Sequence, residues 1–456
     1  MGTRNDDISL ILAKAKKQGF LPDVYDSEVD LLEIEARKMF GTDSVTTSNL
    51  HSSVRRSAST VFLGDSLTQI GTITANRQYG NSMPSLVCAL SDGKIIMAEN
   101  AGVASDTVPM IADRVQVEVI SKAPGRCFIL AGANSTTKGQ THYDLARFDY
   151  ENRIILPLLS AGIEPILATI PPRDNARTTT GTNLGLEVYR MTLAWNVFVR
   201  AMATKYRLQL VDIYAFITDY NTGNYKAGWT DDGVHWSYSG TYAVAQYIVD
   251  QLLPSFPAVA VPLEKDRYST INFSADPLFL GTFTNGSGGR FPLGWNGAST
   301  SPPAISATVS SGSDNLEAGK WFTVAKTGAS STNVNLIKTL SAFNTASGLT
   351  AQAGDRIGLG FRYQIRGITA GGYVTTSLSF RGAGGSAEIL KTITPQNQLN
   401  TASEGVIWIE DIIPAGTVDL RFDIGQGAAG DSIIDIGQFS LYDLTAMGSP
   451  SLLSAV

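Results

Sequence analysis

The chain has 456 residues, 43% of them hydrophobic and 17% charged, with a formal net charge of −6. That is long for one domain and apolar enough to bury cores without metals or disulfides. It shows neither the clustered Lys and Arg of a nucleic-acid binder nor the roughly 18 consecutive apolar residues of a membrane span.

Residues 1–55 read as a helical leader and linker. Within it, Val29, Leu32, Ile34 and Met39 recur among charges up to Gly41, and a polar stretch follows. Acidic residues come early and no long apolar stretch follows them, so no secretory signal is expected. Over 56–256, short apolar runs alternate with amphipathic stretches. The runs are Ser59–Leu63, Lys94–Ala98, Arg126–Leu130, Pro165–Ile170 and Leu208–Asp212, and stretches such as 143–161 and 184–205 lie between them. Runs of this kind suit strands buried on both faces of a parallel sheet, with the stretches as crossover helices. Cys88 and Cys127 each sit in an apolar run and read as buried free thiols. After a linker at 257–271 the texture becomes rich in Gly, Ser, Thr and Ala. Strand-like runs such as 320–325, 356–363, 374–380 and 418–423 predict a β-sandwich over 272–456.

The first run ends in Gly64-Asp65-Ser66-Leu67, which holds a serine at a strand end where a substrate can reach it. The string alone is weak, because Gly430-Asp431-Ser432 nearly repeats it in the β region, where turn chemistry accounts for it. A nucleophilic serine needs a base, and the histidines are His51, His142 and His235. His51 falls in the linker. His142 follows the third strand and could border a site, but no acid is placed to orient it. His235 has Asp232 three residues earlier, able to fix the imidazole tautomer and stabilise the imidazolium. Oxyanion donors are expected at two further strand ends, from the backbone N–H of Gly102 and the side-chain amide of Asn134.

Gly64-Asp-Ser-Leu67, the Gly102 block, Gly132-Ala-Asn134 and Asp232-Gly-Val-His235 together resemble the four blocks of the SGNH (GDSL) hydrolase family, over about residues 56–256. The resemblance implies a flavodoxin-like three-layer α/β/α fold with Ser66 as nucleophile, His235 as base and Asp232 as its orienter. It implies an oxyanion hole of the Ser66 and Gly102 N–H groups and the Asn134 amide. Two positions depart from the family pattern: Ser105, where a second glycine often stands, and Ser135, where an aspartate often follows Gly-x-Asn. No cofactor is implied, and the histidine and cysteine spacing suggests no zinc site.

For the substrate, Trp229, Trp236 and Tyr238 bracket the catalytic pair and, with His142, are candidates to line a binding cleft; packing beneath the loop is the competing role for the rings. The loops 136–141 and 173–183 are polar, which favours a small acyl group on a hydrophilic carrier such as an O-acetylated polysaccharide. A helical leader, this hydrolase and a jelly-roll-like C-terminal sandwich together resemble a phage tail fibre or tailspike deacetylase. That likeness implies a virion location, a trimer and attachment through residues 1–55; charge and hydropathy lead us to expect no nucleic-acid or membrane partner. A lipase or thioesterase of the same family and a non-catalytic glycan-binding adhesin are the alternatives.

Overall fold

The computed structural model describes residues 58–71, 82–176, 185–256, 261–265 and 277–280 and, from 283 to 448, mainly strands and adjoining turns. The leader expected over 1–55, His51, and parts of the linker and of the 173–183 loop lie outside the described residues.

In the first domain, chain order runs β1 (Ser59–Gly64), α1 (Ser66–Gln69), α2 (Met83–Leu90), β2 (Ile96–Gly102), α3 (Val108–Glu118) and β3 (Arg126–Leu130). Next come α4 (Gln140–Asp149), a π-helical stretch (Tyr150–Ile155) that carries α4 into α5 (Leu156–Ser160), and β4 (Glu164–Ala168). The domain closes with α6 (Leu186–Tyr206), β5 (Gln209–Val211), α7 (Ile213–Ile217), the short hairpin β6 (Thr218–Asp219) and β7 (Asn224–Tyr225), and α8 (Tyr238–Leu252). The five main strands form one parallel sheet in the order β2-β1-β3-β4-β5. Every residue of β1 and β3 is buried, which is why both read as uninterrupted apolar runs. Arg126 is the charged residue among them: its guanidinium lies 3.8 Å from the Phe256 ring centroid and donates to Glu164 and to the Ser255 carbonyl.

This strand order places a topological switch point at the carboxyl ends of β1 and β3, where open α/β sheets put their ligands. The chain leaves β1 to build β2 on one side and returns to build β3 on the other. Strand β2 runs four residues beyond its expected end, because pairing with β1 continues through polar Glu99 and Asn100 to Gly102, opposite Gly64. Buried Asn100 is accommodated there by donating its side-chain amide to the Thr68 carbonyl at 3.2 Å.

The C-terminal domain has β8 (Phe283–Gly286), β9 (Gly289–Pro292), β10 (Trp295–Gly297), β11 (Ala304–Val309), β12 (Phe322–Thr327), β13 (Val334–Ser341) and β14 (Arg356–Arg366). After them come β15 (Val374–Arg381), β16 (Ala387–Ile393), β17 (Ser403–Ile412), β18 (Asp419–Gln426) and β19 (Ser432–Asp443). Ten of these make two antiparallel sheets, β10-β13-β18-β15-β16 and β11-β12-β19-β14-β17. Aromatic rings join them: Trp295 and Phe422 from one sheet meet Phe322, Phe361 and Phe439 from the other at centroid distances of 5.1–5.5 Å. The sandwich docks on α2, where the Tyr363 hydroxyl donates to the Ala89 carbonyl (3.1 Å) and Arg362 pairs with Asp92 (3.2 Å).

Candidate active site

Ser66 opens α1 immediately beyond β1. Gly64 is required just before it, since a Cβ there would lie 2.4 Å from the Leu130 carbonyl of neighbouring β3. Asp65 caps the turn by accepting the Leu67 N–H at 3.0 Å and is fully buried. Burial pushes its carboxyl up to about 6, against the opposing pull of the Leu67 N–H, Arg173 and His235.

His235 reaches the serine from the loop before α8. Its Nε2 lies 2.9 Å from Ser66 Oγ and its Nδ1 lies 2.7 Å from Asp232 Oδ2. The carboxylate can only accept, so it holds the proton on Nδ1 and leaves Nε2 as the acceptor facing the serine hydroxyl. Asp232 Oδ1 accepts from the N–H groups of Val234 (2.9 Å) and His235 (2.7 Å). Partial burial alone would raise the Asp232 pKa, but the bonds from the His235 ring and these two N–H groups bring it down to about 2. Thr230 closes the loop: its hydroxyl donates to the His235 carbonyl (2.7 Å) and accepts the Gly233 N–H (2.8 Å).

The donors are arranged differently from the sequence expectation. The Gly102 N–H is already engaged by Asn100 Oδ1 at 3.1 Å. Gly102 is small for another reason, since a Cβ there would come within 2.5 Å of the Gln69 backbone nitrogen. The candidate donor in this block is then Ser105, which lies exposed in the loop after β2 with φ +69°. Among the described residues the N–H groups of Ser66 and Ser105 carry no hydrogen bond. Asn134 donates one amide hydrogen to the Asp106 carbonyl (3.0 Å), beside Ser105, and keeps the other. Its loop can pass over the core because Gly132, at φ +126°, lies where a Cβ would meet the Trp195 indole at 2.1 Å.

Both departures from the family pattern have local explanations. The Ser105 φ is one that glycine adopts without strain. Ser135 is fully buried, and its hydroxyl accepts the Val108 N–H at 3.0 Å, capping α3. The cleft candidates are placed less favourably for a ligand. Trp236 is 4% exposed within the core, which makes it a packing residue. The Tyr238 hydroxyl is buried without a hydrogen-bond partner among the described residues. Trp229 is half-buried, its ring 5.2 Å from that of Phe216 and its face 5.0 Å from the Lys226 ammonium. His142 lies on α4 with a buried Nε2 that has no partner among the described residues, and burial together with Lys138 lowers its pKa.

Two arginines that sequence reasoning missed support the site. Arg114 of α3 donates to the Gly64 and Ala101 carbonyls and pairs with Asp106, tying the ends of β1 and β2 to the donor loop. Arg173, beyond β4, donates to the Ala133 carbonyl at 2.9 Å. Their only sequence signal was arginine beside otherwise apolar or turn residues. Gly430-Asp431-Ser432, by contrast, forms a turn: the Asp431 carboxylate accepts the Gly328 N–H, and Ser432 is fully buried beside Gln426. No group of three or more His, Cys, Asp or Glu fit to hold a metal occurs among the described residues.

Residues 62–242 match the model of the GDSL-like Lipase/Acylhydrolase family. No curated protein matches the chain. Similar solved structures include the lipase/acylhydrolase from Enterococcus faecalis (20% identity, 44% of this chain and 98% of that one, TM-score 0.33). An acetyl xylan esterase, AlAXEase, is similar at 20% identity over 42% of this chain and 98% of that one (TM-score 0.32). The enzymatically active domain of Bacteriophage CBA120 tailspike protein 4 is similar at 14% identity over 33% of this chain and 19% of that one (TM-score 0.25). At these scores the likenesses carry no argument about substrate. The family match spans β1 to the start of α8, and with it every side chain just described around Ser66: residues 62–242 form a domain of the GDSL-like lipase/acylhydrolase family.

Proposed function

We propose that this chain is a serine carboxylic-ester hydrolase that removes O-acetyl groups from a bacterial surface polysaccharide. The observation that carries the esterase reading is the hydrogen-bonded chain Ser66–His235–Asp232, at 2.9 and 2.7 Å. His235 Nε2 takes the hydroxyl proton as Ser66 Oγ attacks the ester carbonyl, while Asp232 stabilises the imidazolium. The N–H groups of Ser66 and Ser105 and the free amide hydrogen of Asn134 receive the oxyanion. His235 then returns the proton to the departing alcohol, and water repeats the sequence on the acyl-enzyme to release acetate.

The polysaccharide reading rests on openness and polarity. The side chains of Asp232 and His235 remain 55% and 29% exposed, so among the described residues nothing closes them off from an ester on a bulky hydrophilic carrier. The neighbouring stretch 137–141, Thr-Lys-Gly-Gln-Thr, has no apolar side chain and reaches the surface. The test is acetate release from a panel of acetylated capsule and O-antigen preparations, with Ser66→Ala as control. Release that Ser66→Ala abolishes supports the proposal; preference for long-chain over acetyl nitrophenyl esters refutes the deacetylase reading.

A further inference from the structure

We propose that Arg173, together with Asp174 and Asn175, is a positioning clamp that holds the Asn134 loop and the His235 loop in register around Ser66. It rests on the esterase reading of the same site. Arg173 is 7% exposed, and a buried cation is tolerated only where polar and acidic groups surround it. Its Nη2 donates to the Ala133 carbonyl at 2.9 Å, one residue before Asn134. Burial lowers its pKa, and Tyr225, Asp65 and Asp232 act against that. The carboxyls of Asp65, beside the nucleophile, and Asp232, behind the base, are thus among the charges that favour the guanidinium.

The next two residues fasten the other side. The Asp174 N–H donates to the Gly233 carbonyl (2.8 Å), inside the Asp232–His235 turn. Asp174 Oδ1 accepts the Tyr225 N–H (2.8 Å), and the Asn175 N–H donates to Asn224 Oδ1 (2.9 Å). Tyr225 completes the connection, since its hydroxyl donates to the Val234 carbonyl (2.7 Å), adjacent to His235. Three consecutive residues thus span the gap between the oxyanion side and the base side. Neither loop is joined to the other directly by any hydrogen bond among the described residues. Displacement of a reacting group by about 1 Å costs on the order of 100-fold in rate, so a clamp of this kind acts on turnover rather than on substrate affinity.

The test compares nitrophenyl acetate hydrolysis by full-length wild type, Arg173→Lys and Arg173→Met, with active sites counted by fluorophosphonate titration and Ser66→Ala as background. Lysine keeps the charge but lacks the planar fork, so kcat falls roughly 10-fold in Arg173→Lys and roughly 100-fold in Arg173→Met, each with KM within about twofold. Wild-type kcat per titrated site in Arg173→Met, with only a lower melting temperature, overturns the clamp, because that is what a purely structural arginine gives. A raised KM with unchanged kcat overturns it also, since it assigns the guanidinium to substrate contact. If Arg173→Met does not fold, Arg173→Lys decides, and wild-type kcat in that variant overturns the proposal. A wild-type rate no higher than that of Ser66→Ala defeats the esterase reading itself, and the clamp falls with it.

Discussion

Asp232→Asn separates the catalytic chain from mere proximity. The asparagine is isosteric, and its carbonyl oxygen can still accept the Val234 and His235 N–H groups that Asp232 Oδ1 accepts at 2.9 and 2.7 Å. That orientation turns the NH2 group toward Nδ1, 2.7 Å away in the wild type. A donor there forces Nδ1 to become the acceptor and moves the proton to Nε2, facing Ser66 Oγ, where it cannot serve as a base. Flipping the amide restores the tautomer but sets NH2 against two N–H donors, at about 1–3 kcal/mol for each one left unpaired. In a fully enclosed triad the wrong tautomer costs about 10⁴ in kcat, or about 5.4 kcal/mol. Asp232 is 55% exposed, so water offers the ring partial relief, and a loss nearer 10³, about 4 kcal/mol, is expected. The assay is kcat for nitrophenyl acetate at pH 7.5, per folded protein, with unchanged circular dichroism. A loss smaller than about tenfold would refute the claim that Asp232 sets the tautomer.

Four further outcomes follow from the same geometry. Asn134→Ala removes a donor and should lower kcat by about 10²–10³ with KM little changed; equal loss in an Asn100→Ala control would point to loop collapse instead. Ser105→Gly keeps the N–H and relieves the left-handed backbone, so kcat should hold while urea unfolding shows a gain of about 1 kcal/mol. Gly132→Ala should destabilise by about 2 kcal/mol or more, because it adds φ strain to a clash with the Trp195 indole, and thermal unfolding reads it. Asp65 binds its proton more tightly folded than unfolded, so its ionisation lowers stability as pH rises from about 3.8 to about 6. Asp65→Asn removes that dependence, and the wild-type minus variant stability should fall by about 3 kcal/mol between pH 3.5 and 7; parallel urea midpoints across that range would contradict the dominance of burial over this carboxyl's hydrogen bond and charge partners.

The fold was legible where burial is two-sided. Arg126–Leu130 is one strand in sequence and structure because each of its residues is interior. The expected end of β2 fell short at Ala98 because the strand continues through Glu99 and Asn100, whose polarity conceals a buried amide bonded to Thr68 and Gly102. In the sandwich, alternation marked strands such as Phe322–Thr327, but pairing β12 with β19 joins positions more than a hundred residues apart, which no local pattern encodes.

The site divided along the same line. Asp232 and His235 are three residues apart, so their pairing is a local property and could be read directly. The donor position is not local. Gly102 drew attention as a glycine, yet its smallness serves α1 packing, whereas the N–H left open belongs to Ser105, whose positive φ is invisible in the residue name. Arg114 and Arg173 stood even further from view. Each holds segments that meet only when the sheet forms, Arg114 linking Gly64, Ala101 and Asp106, and Arg173 holding Ala133 while the adjoining Asp174 N–H holds Gly233 in the turn before His235. Such residues act on the chemistry through the loops they hold. The reaction type is therefore written in four short motifs, while the precision with which those motifs meet depends on arginines, one buried and one half-buried, that no motif contains.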